Sequence, residues 1–301
     1  MINPMPKVSY VLLAYNQARY IEDAVDSALN QNYKNIEFIF SDDHSSDSTW
    51  DKIQSLTKNS TRPVTLNRMP KNSGLVGHLN FCLSICSGDI IVLAAGDDIA
   101  MFDRVHKSVV CLTENSNAFS VTFNDYSIDS KGNILCGRKV LPASGYFDLN
   151  KALESFNIHF SGASRAIRRE VYDVFGPLQK ECSTEDTPFF LRALYLGGCI
   201  LSNDAGIFYR KTDSSLSSKK GMKMHNPIYI GRQYAQDIDI ANQQGMLTIS
   251  EKKNAQCWMA FRNIQKKYSQ INGSLKKIIF LLLNSLKNKY FRKYLIYKVL
   301  G

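Results

Sequence analysis

No CxxC pair occurs in this sequence, no acidic residue follows Glu251, and no run of large aliphatic and aromatic residues exceeds the six from Ile278 to Leu283. Each absence excludes something. The short apolar runs fall far below the ~20 residues that cross a bilayer, so no transmembrane helix is expected. The N-terminus reaches a strand-like pattern by Val8 with no leader architecture, which argues against secretion. The seven cysteines (Cys82, Cys86, Cys111, Cys136, Cys182, Cys199 and Cys257) are odd in number, and several sit in apolar runs. They are expected to be reduced and buried rather than paired or zinc-bound, as in a cytoplasmic protein. The sequons at Asn59 and Asn272 carry no meaning in that compartment. No period of about 20 to 50 residues recurs, which excludes a solenoid.

What remains is an ordinary folded chain of 301 residues, 44% hydrophobic and 21% charged, long enough for one large domain or two smaller ones. The net charge of +10 is uneven: twelve of the 37 basic residues follow Glu251, and the other 25 face 27 acids, a net of −2. The basicity belongs to the tail.

Short β-rich runs alternate with helical patterns along the first hundred residues. Strands are expected at Val8–Leu13, Ile36–Phe40, Val64–Asn67 and Ile90–Ala95, with helices at about Tyr20–Leu29, Trp50–Leu56 and Leu75–Ile85. Strands apolar on both faces, separated by helices, predict a mostly parallel sheet covered by helices. Ligands bind beyond the carboxyl ends of such strands, where Tyr15-Asn16, Asp42-Asp43 and Asp97-Asp98 fall. From Tyr146 the pattern is mixed, and after Ser218 it reads as helices at Ile228–Gln244, Ser250–Tyr268 and Ser274–Leu300. Two regions are expected, 1–218 and 219–301, with a boundary near SSLSSKK.

Each acidic cluster admits two readings. Gly96-Asp97-Asp98 after a strand is ordinary turn chemistry, or a carboxylate pair whose repulsion a divalent cation offsets. Asp47 or Ser48 suits the N-cap of the next helix, but Asp42 and Asp43 lie too far upstream to cap. A carboxylate there could accept a uracil imide N–H while Tyr15 stacks on the base. In Glu185-Asp186-Thr187-Pro188, Asp186 is either an N-cap with Pro188 in the first turn or a general base.

Taken in order, VSYVLLAYNQARYIEDAVDSALNQNYKNIEFIFSDDHSSDST, NSGLVGHLNFCLSICSGDIIVLAAGDD, SGASRAIRREVYDVFGPL, STEDTPFFLRALYLGG and FYRKTDSSLS resemble glycosyltransferase family 2, over residues 7 to about 218. The resemblance implies the GT-A fold, an inverting sugar transfer from a nucleotide-sugar donor, usually a UDP-sugar, and a divalent cation, Mn²⁺ or Mg²⁺. It implies that Tyr15 and Asp43 hold the base, that Asn72 and Gly74 line the nucleotide, and that Asp97 meets ribose or metal. Asp98 would bind metal, Asp186 would be the catalytic base, and Tyr209-Arg210 would border the donor phosphates. The sequence departs from the family pattern at Ala95, where the first acid of a DxD motif is common. Leu13-Ala14 replaces Pro-Thr, His44 replaces a glycine, and Thr212 replaces a histidine.

The tail, GSLKKIIFLLLNSLKNKYFRKYLIYKVLG, mixes large apolar residues with Lys and Arg at helical spacing. It reads as a basic amphipathic helix on an anionic membrane surface or as a packed terminal helix with a solvated face. The membrane reading fits a lipid-linked glycan acceptor at the cytoplasmic face of the inner membrane, as in O-antigen or capsule assembly. A nucleic-acid partner is not expected, because the front of the chain has no basic footprint. The competing class is a non-catalytic nucleotide-sugar or membrane-surface binding module, which Ala95 would suit. A nucleotidyltransferase would need a Gly- and Lys-rich phosphate loop after the first strand, and AYNQAR is none.

Overall fold

The computed structural model describes residues 5–135, 144–155, 161–212, 226–270 and 288–300. Its first part follows the expected alternation: β1 (Val8–Ala14), α1 (Ile21–Leu29), β2 (Ile36–Asp42), α2 (Thr49–Thr57), β3 (Val64–Arg68), α3 (Gly74–Ile85) and β4 (Ile90–Ala95). β1, β2 and β4 are buried nearly end to end, as strands covered on both faces must be. β5 (Ile99–Ala100), α4 (Arg104–Glu114), β6 (Ser120–Ile128), β7 (Gly145–Phe147) and α5 (Leu149–Glu154) follow. Then come β8 (Arg165–Arg168), α6 (Glu170–Phe175), α7 (Asp186–Leu196) and β9 (Cys199–Arg210). The last described helices are α8 (Pro227–Gln243), α9 (Ile249–Gln270) and α10 (Lys289–Leu300).

One mixed sheet runs β3-β2-β1-β4-β8-β6-β9-β5, with β7 paired to β9. β1 to β4 are mutually parallel, and β6 is parallel to β9. β8 is antiparallel to both its neighbours and joins the two halves.

Three apolar clusters fill the layers. One packs α1, α2 and α4 against the sheet through Val25, Ile53 and Leu112, and another seats α3 and α7 through Leu79, Leu83 and Phe189. The third joins α5 and α7 to the C-terminal helices through Leu153, Phe190, Leu194, Tyr234, Trp258 and Phe291. A fully buried ion pair, Arg192 to Asp237 at 2.9 Å, also ties α7 to α8. The expected boundary near SSLSSKK lies outside the described residues.

One local expectation is corrected. Asp186 is not the N-cap of α7; Glu185 occupies that position without a side-chain capping bond, and Asp186 is the first helical residue. The first part of the expected tail helix, Ser274–Leu300, lies outside the described residues, which resume at Asn288. α10 starts after Asn288, whose Oδ1 accepts the N–H groups of Tyr290 and Phe291. Both of those rings are buried. No helix among the described residues is long and apolar enough to cross a membrane.

Candidate active site

The register of the sheet decides which residues meet at its edge. β1 and β2 pair Ala14 with Asp42, and β1 and β4 pair Leu13 with Ala95, so three strands leave the sheet side by side. Their continuations are Tyr15, Asp43 and the Gly96-Asp97-Asp98 turn. β8 runs the other way and pairs Ala166 with Val92. Arg165 and the segment before it therefore reach the same edge from the opposite direction. Buried Arg104 stitches them there, donating to the carbonyls of Leu93, Ala163 and Arg165.

The tips after β1 and β2 are tightly wound. Asn16 and His44 adopt φ of 51° and 62°, the left-handed region that favours glycine. Side chains hold both tips. The Asn16 N–H donates to Ser45 Oγ at 2.8 Å, its Oδ1 accepts the Ser46 N–H, and His44 Nδ1 lies 3.0 Å from the Met69 carbonyl. The left-handed backbone explains why a glycine would suit position 44.

Tyr15 is 47% exposed and follows Ala14, whose carbonyl accepts the N–H of buried Asp43. Asp43 Oδ1 accepts the N–H and the hydroxyl of Ser73, at 2.8 and 2.7 Å, which folds the 72–74 loop onto it. Asn72 Oδ1 accepts the Gly74 N–H at 3.1 Å, and Gly74 opens α3 with φ of 72°. Asp43, Asn72 and Gly74 are thus one unit, joined by Ser73, which sequence reasoning missed. Asp42 is separate: it takes the Ser45 N–H and hydroxyl and lies 3.4 Å from Arg68 Nε, an internal brace. Beneath them His78 Nε2 meets Ser41 Oγ at 2.6 Å, and burial lowers the histidine pKa, favouring the neutral ring.

Asp97 and Asp98 share their turn with Arg210. Asp98 is 6% exposed, and its Oδ1 accepts the Arg210 N–H at 2.8 Å. The Arg210 guanidinium, 2% exposed, donates to the carbonyls of Asp97 and Asp129 and to Asp23 Oδ2. Its donors are engaged inside the protein, so in this structure it locks the turn. Burial, followed by the Asp97 charge, pushes Asp98 well above the usual carboxylate range, and burial also raises Asp97. A pair so poorly neutralised suits a hard divalent cation. Among the described residues no three ligating side chains converge, and Ala95 adds none. Asp98 and Asp97 fit such an ion if phosphate oxygens of a substrate complete its shell.

The third acid stands at the start of α7. Asp186 Oδ1 is 3.5 Å from Arg165 Nη2, while 43% of its side chain stays exposed. Burial and the neighbouring Asp186 charge push Glu185 well above its ordinary range, favouring its protonated form. Arg165 and Arg104 were not among the expected site residues. The signal available was an arginine next to the apolar pair Ala166-Ile167, where a solvated side chain is out of place.

The sequence profile of "Glycosyl transferase family 2" matches residues 9–176, more than half of the chain. The chain belongs to glycosyl transferase family 2. The matched region holds Tyr15, Asp43, Asn72, Gly74, Asp97 and Asp98; Asp186 and Arg210 lie beyond it. This family 2 chain is 34% identical over 125 residues to "UDP-Glc:alpha-D-GlcNAc-diphosphoundecaprenol beta-1,3-glucosyltransferase WfaP" of Escherichia coli, covering 42% of the chain and 48% of the relative. The chain spans about half the length of several curated relatives it matches. Among solved structures it superposes on S. aureus TarS 1-349 in complex with UDP-GlcNAc (TM-score 0.66, 15% identity, 86% of this chain and 73% of that one). It also superposes on the mannosyltransferase PcManGT of Pyrobaculum calidifontis in complex with GDP-Man and Mn2+ (TM-score 0.57, 15% identity, 96% and 83%). The fold is GT-A.

Proposed function

We propose that this chain is an inverting sugar transferase. It would move a sugar from a UDP-sugar to a hydroxyl of a lipid-linked glycan in cell-surface polysaccharide assembly. The observation that carries this reading is the arrival of Asp43, the Asp97-Asp98 turn and Asp186 at one edge of the sheet. Tyr15 stacks on the base and Asp43 accepts the imide N–H of uracil through the oxygen that Ser73 leaves free. Asn72 and Gly74 line the nucleotide, and Arg210 keeps the Asp97-Asp98 turn in place against the diphosphate. Asp98, with Asp97 beside it, would hold Mn²⁺ or Mg²⁺, which when bound neutralises charge on the departing diphosphate.

Asp186 acts as base. It takes the proton of the acceptor hydroxyl as that oxygen bonds to the anomeric carbon and the carbon–phosphate oxygen bond breaks, releasing UDP. A single displacement inverts the anomeric carbon. The likeness to WfaP supports the UDP donor and the lipid-linked acceptor. The basic segment after Glu251 supports a place at the cytoplasmic membrane surface, although most of the amphipathic stretch lies outside the described residues.

Calorimetric titration of UDP and of GDP, each with Mn²⁺ and with EDTA, into wild type and Asp98→Asn tests the reading. UDP binding that needs both the metal and Asp98 is expected, with affinity falling at least about tenfold in the variant. Metal-independent UDP binding would remove Asp98 from its role. Binding of neither nucleotide would favour a surface-binding module on this fold, the reading that Ala95 suits.

A further inference from the structure

Arg165 is 1% exposed, yet Nη1 and Nη2 of its guanidinium have no hydrogen-bond partner. An arginine sealed in a protein with two idle amino groups is costly, since a buried charge needs a counter-charge close by. The carboxylate it faces is Asp186, whose Oδ1 is likewise buried without a hydrogen bond, 3.5 Å from Nη2. That separation is an ion pair without hydrogen-bond geometry: attraction aims the two groups at each other, while Glu185 shares a side-chain hydrogen bond with Asp186. The exposure of the Asp186 side chain lies on its remaining atoms, so one oxygen is turned inward and the rest faces outward.

The surroundings are arranged for this pair. A Cβ at Gly162 would collide with Asp186 Oδ1 and stand 2.9 Å from Glu185 Oε1, so a larger residue there would displace the side chains of both acids. Arg165 is fixed from behind, its N–H donating to the Gly162 carbonyl at 3.1 Å and its own carbonyl accepting from Arg104. Among the described residues, the charged and titratable groups facing Asp186 are Arg165 from β8 and Glu185 from the turn before α7. Of these only Arg165 carries positive charge.

We infer that Arg165 is a positioning residue for Asp186, aiming its carboxylate outward by a buried charge that Gly162 makes room for. Coulomb attraction at this distance is several times stronger beside a buried guanidinium than in water, so removing the charge makes proton uptake by Asp186 easier. The placement of Arg165 stands on the structure; its catalytic meaning rests on Asp186 being the base, as proposed above.

The test reads the carboxylate directly. The full chain, labelled with ¹³C at the aspartate side-chain carboxyls, is titrated by NMR, and the Asp186 signal is identified by its loss in Asp186→Asn. Arg165→Gln is expected to move the Asp186 midpoint up by about one pH unit, a tenfold gain in proton affinity, while Arg165→Lys stays close to wild type. Where Arg165→Gln does not fold, Arg165→Met, which fills similar volume without polar atoms, takes its place. An unmoved midpoint in a folded charge-free variant would overturn the inference. So would loss of fold in both charge-free variants beside a normal Arg165→Lys, because the charge would then serve the fold alone. A moved midpoint with an active Asp186→Asn would keep the pair and remove Asp186 as base.

Discussion

Two pairs of adjacent acids, Asp97-Asp98 and Glu185-Asp186, stand at one edge of the sheet, and the structure treats them in opposite ways. The first is bound on several sides: a backbone N–H reaches Asp98, and the Arg210 guanidinium spans Asp97, Asp129 and Asp23. The second meets its arginine across 3.5 Å without a hydrogen bond, one carboxylate half open to solvent. Burial raises members of both pairs, Asp98 and Glu185 most. The difference lies in what each arrangement leaves available. A turn locked by hydrogen bonds holds two raised carboxylates in a fixed place for a cation to meet, whereas Asp186 meets its arginine only across an open gap.

The sharpest way to break that contrast is Asp186→Asn, expected to lower turnover about 10³-fold with UDP affinity unchanged, read from UDP release and calorimetry. Loss of both together would make Asp186 a structural residue and erase the distinction. Arg210→Met comes next. It removes three guanidinium bonds, to the carbonyls of Asp97 and Asp129 and to Asp23 Oδ2, but leaves the Arg210 N–H on Asp98, and a stability loss of about 3 kcal/mol is expected in thermal or urea unfolding. An unchanged melting curve would mean that the turn is held by something else.

Glu37 offers a carboxylate of a third kind. Burial raises it, but hydrogen bonds from Lys7, Ser9 and Ser87 prevail and bring it down to about 2 from an ordinary 4.5. Its stabilisation is therefore complete above about pH 4.5 and is lost as the pH falls toward 2. Because Lys7 is exposed, the gain is roughly 2 kcal/mol or less. Glu37→Gln should flatten the acid side of the stability curve between those values; an equal loss at every pH would show that the charge is irrelevant. The smallest effect is expected of Gly162→Ala, which pushes Asp186 aside and should reduce turnover about tenfold, since misplacement by an ångström is costly. An unaffected rate would show that the segment before β8 yields easily.

Much of the first half was legible because apolar runs ending in paired acids state both the strand and its tip. β1, β2 and β4 fall within a residue or two of where their patterns put them. Tyr15, Asp43 and Asp98 were visible because they follow such runs directly. Arg165 was not, because β8 is antiparallel: its site-facing residue opens the strand, where no run has yet announced one. Ser73 was hidden because its role depends on Asp43, 30 residues away in the chain. Arg210 was visible as a residue but not as a lock, since nothing in a sequence tells which partners a guanidinium has already taken. The cap of α7 was misassigned by one position because Glu185 and Asp186 are chemically interchangeable until backbone angles separate them.

The buried link between Arg192 and Asp237 has a consequence in time. The helix that begins with Asp186 is completed on its far side by a residue 45 positions after Arg192. At about 5–20 residues per second of synthesis, Arg192 leaves the ribosome seconds before its counter-ion does. Through that interval α7 has its sheet to lean on but an unneutralised charge at its back. The residues proposed to meet the nucleotide from Tyr15 to Asp98 precede α7 in the chain, whereas the helix that carries Asp186 gains this counter-ion only when α8 has emerged.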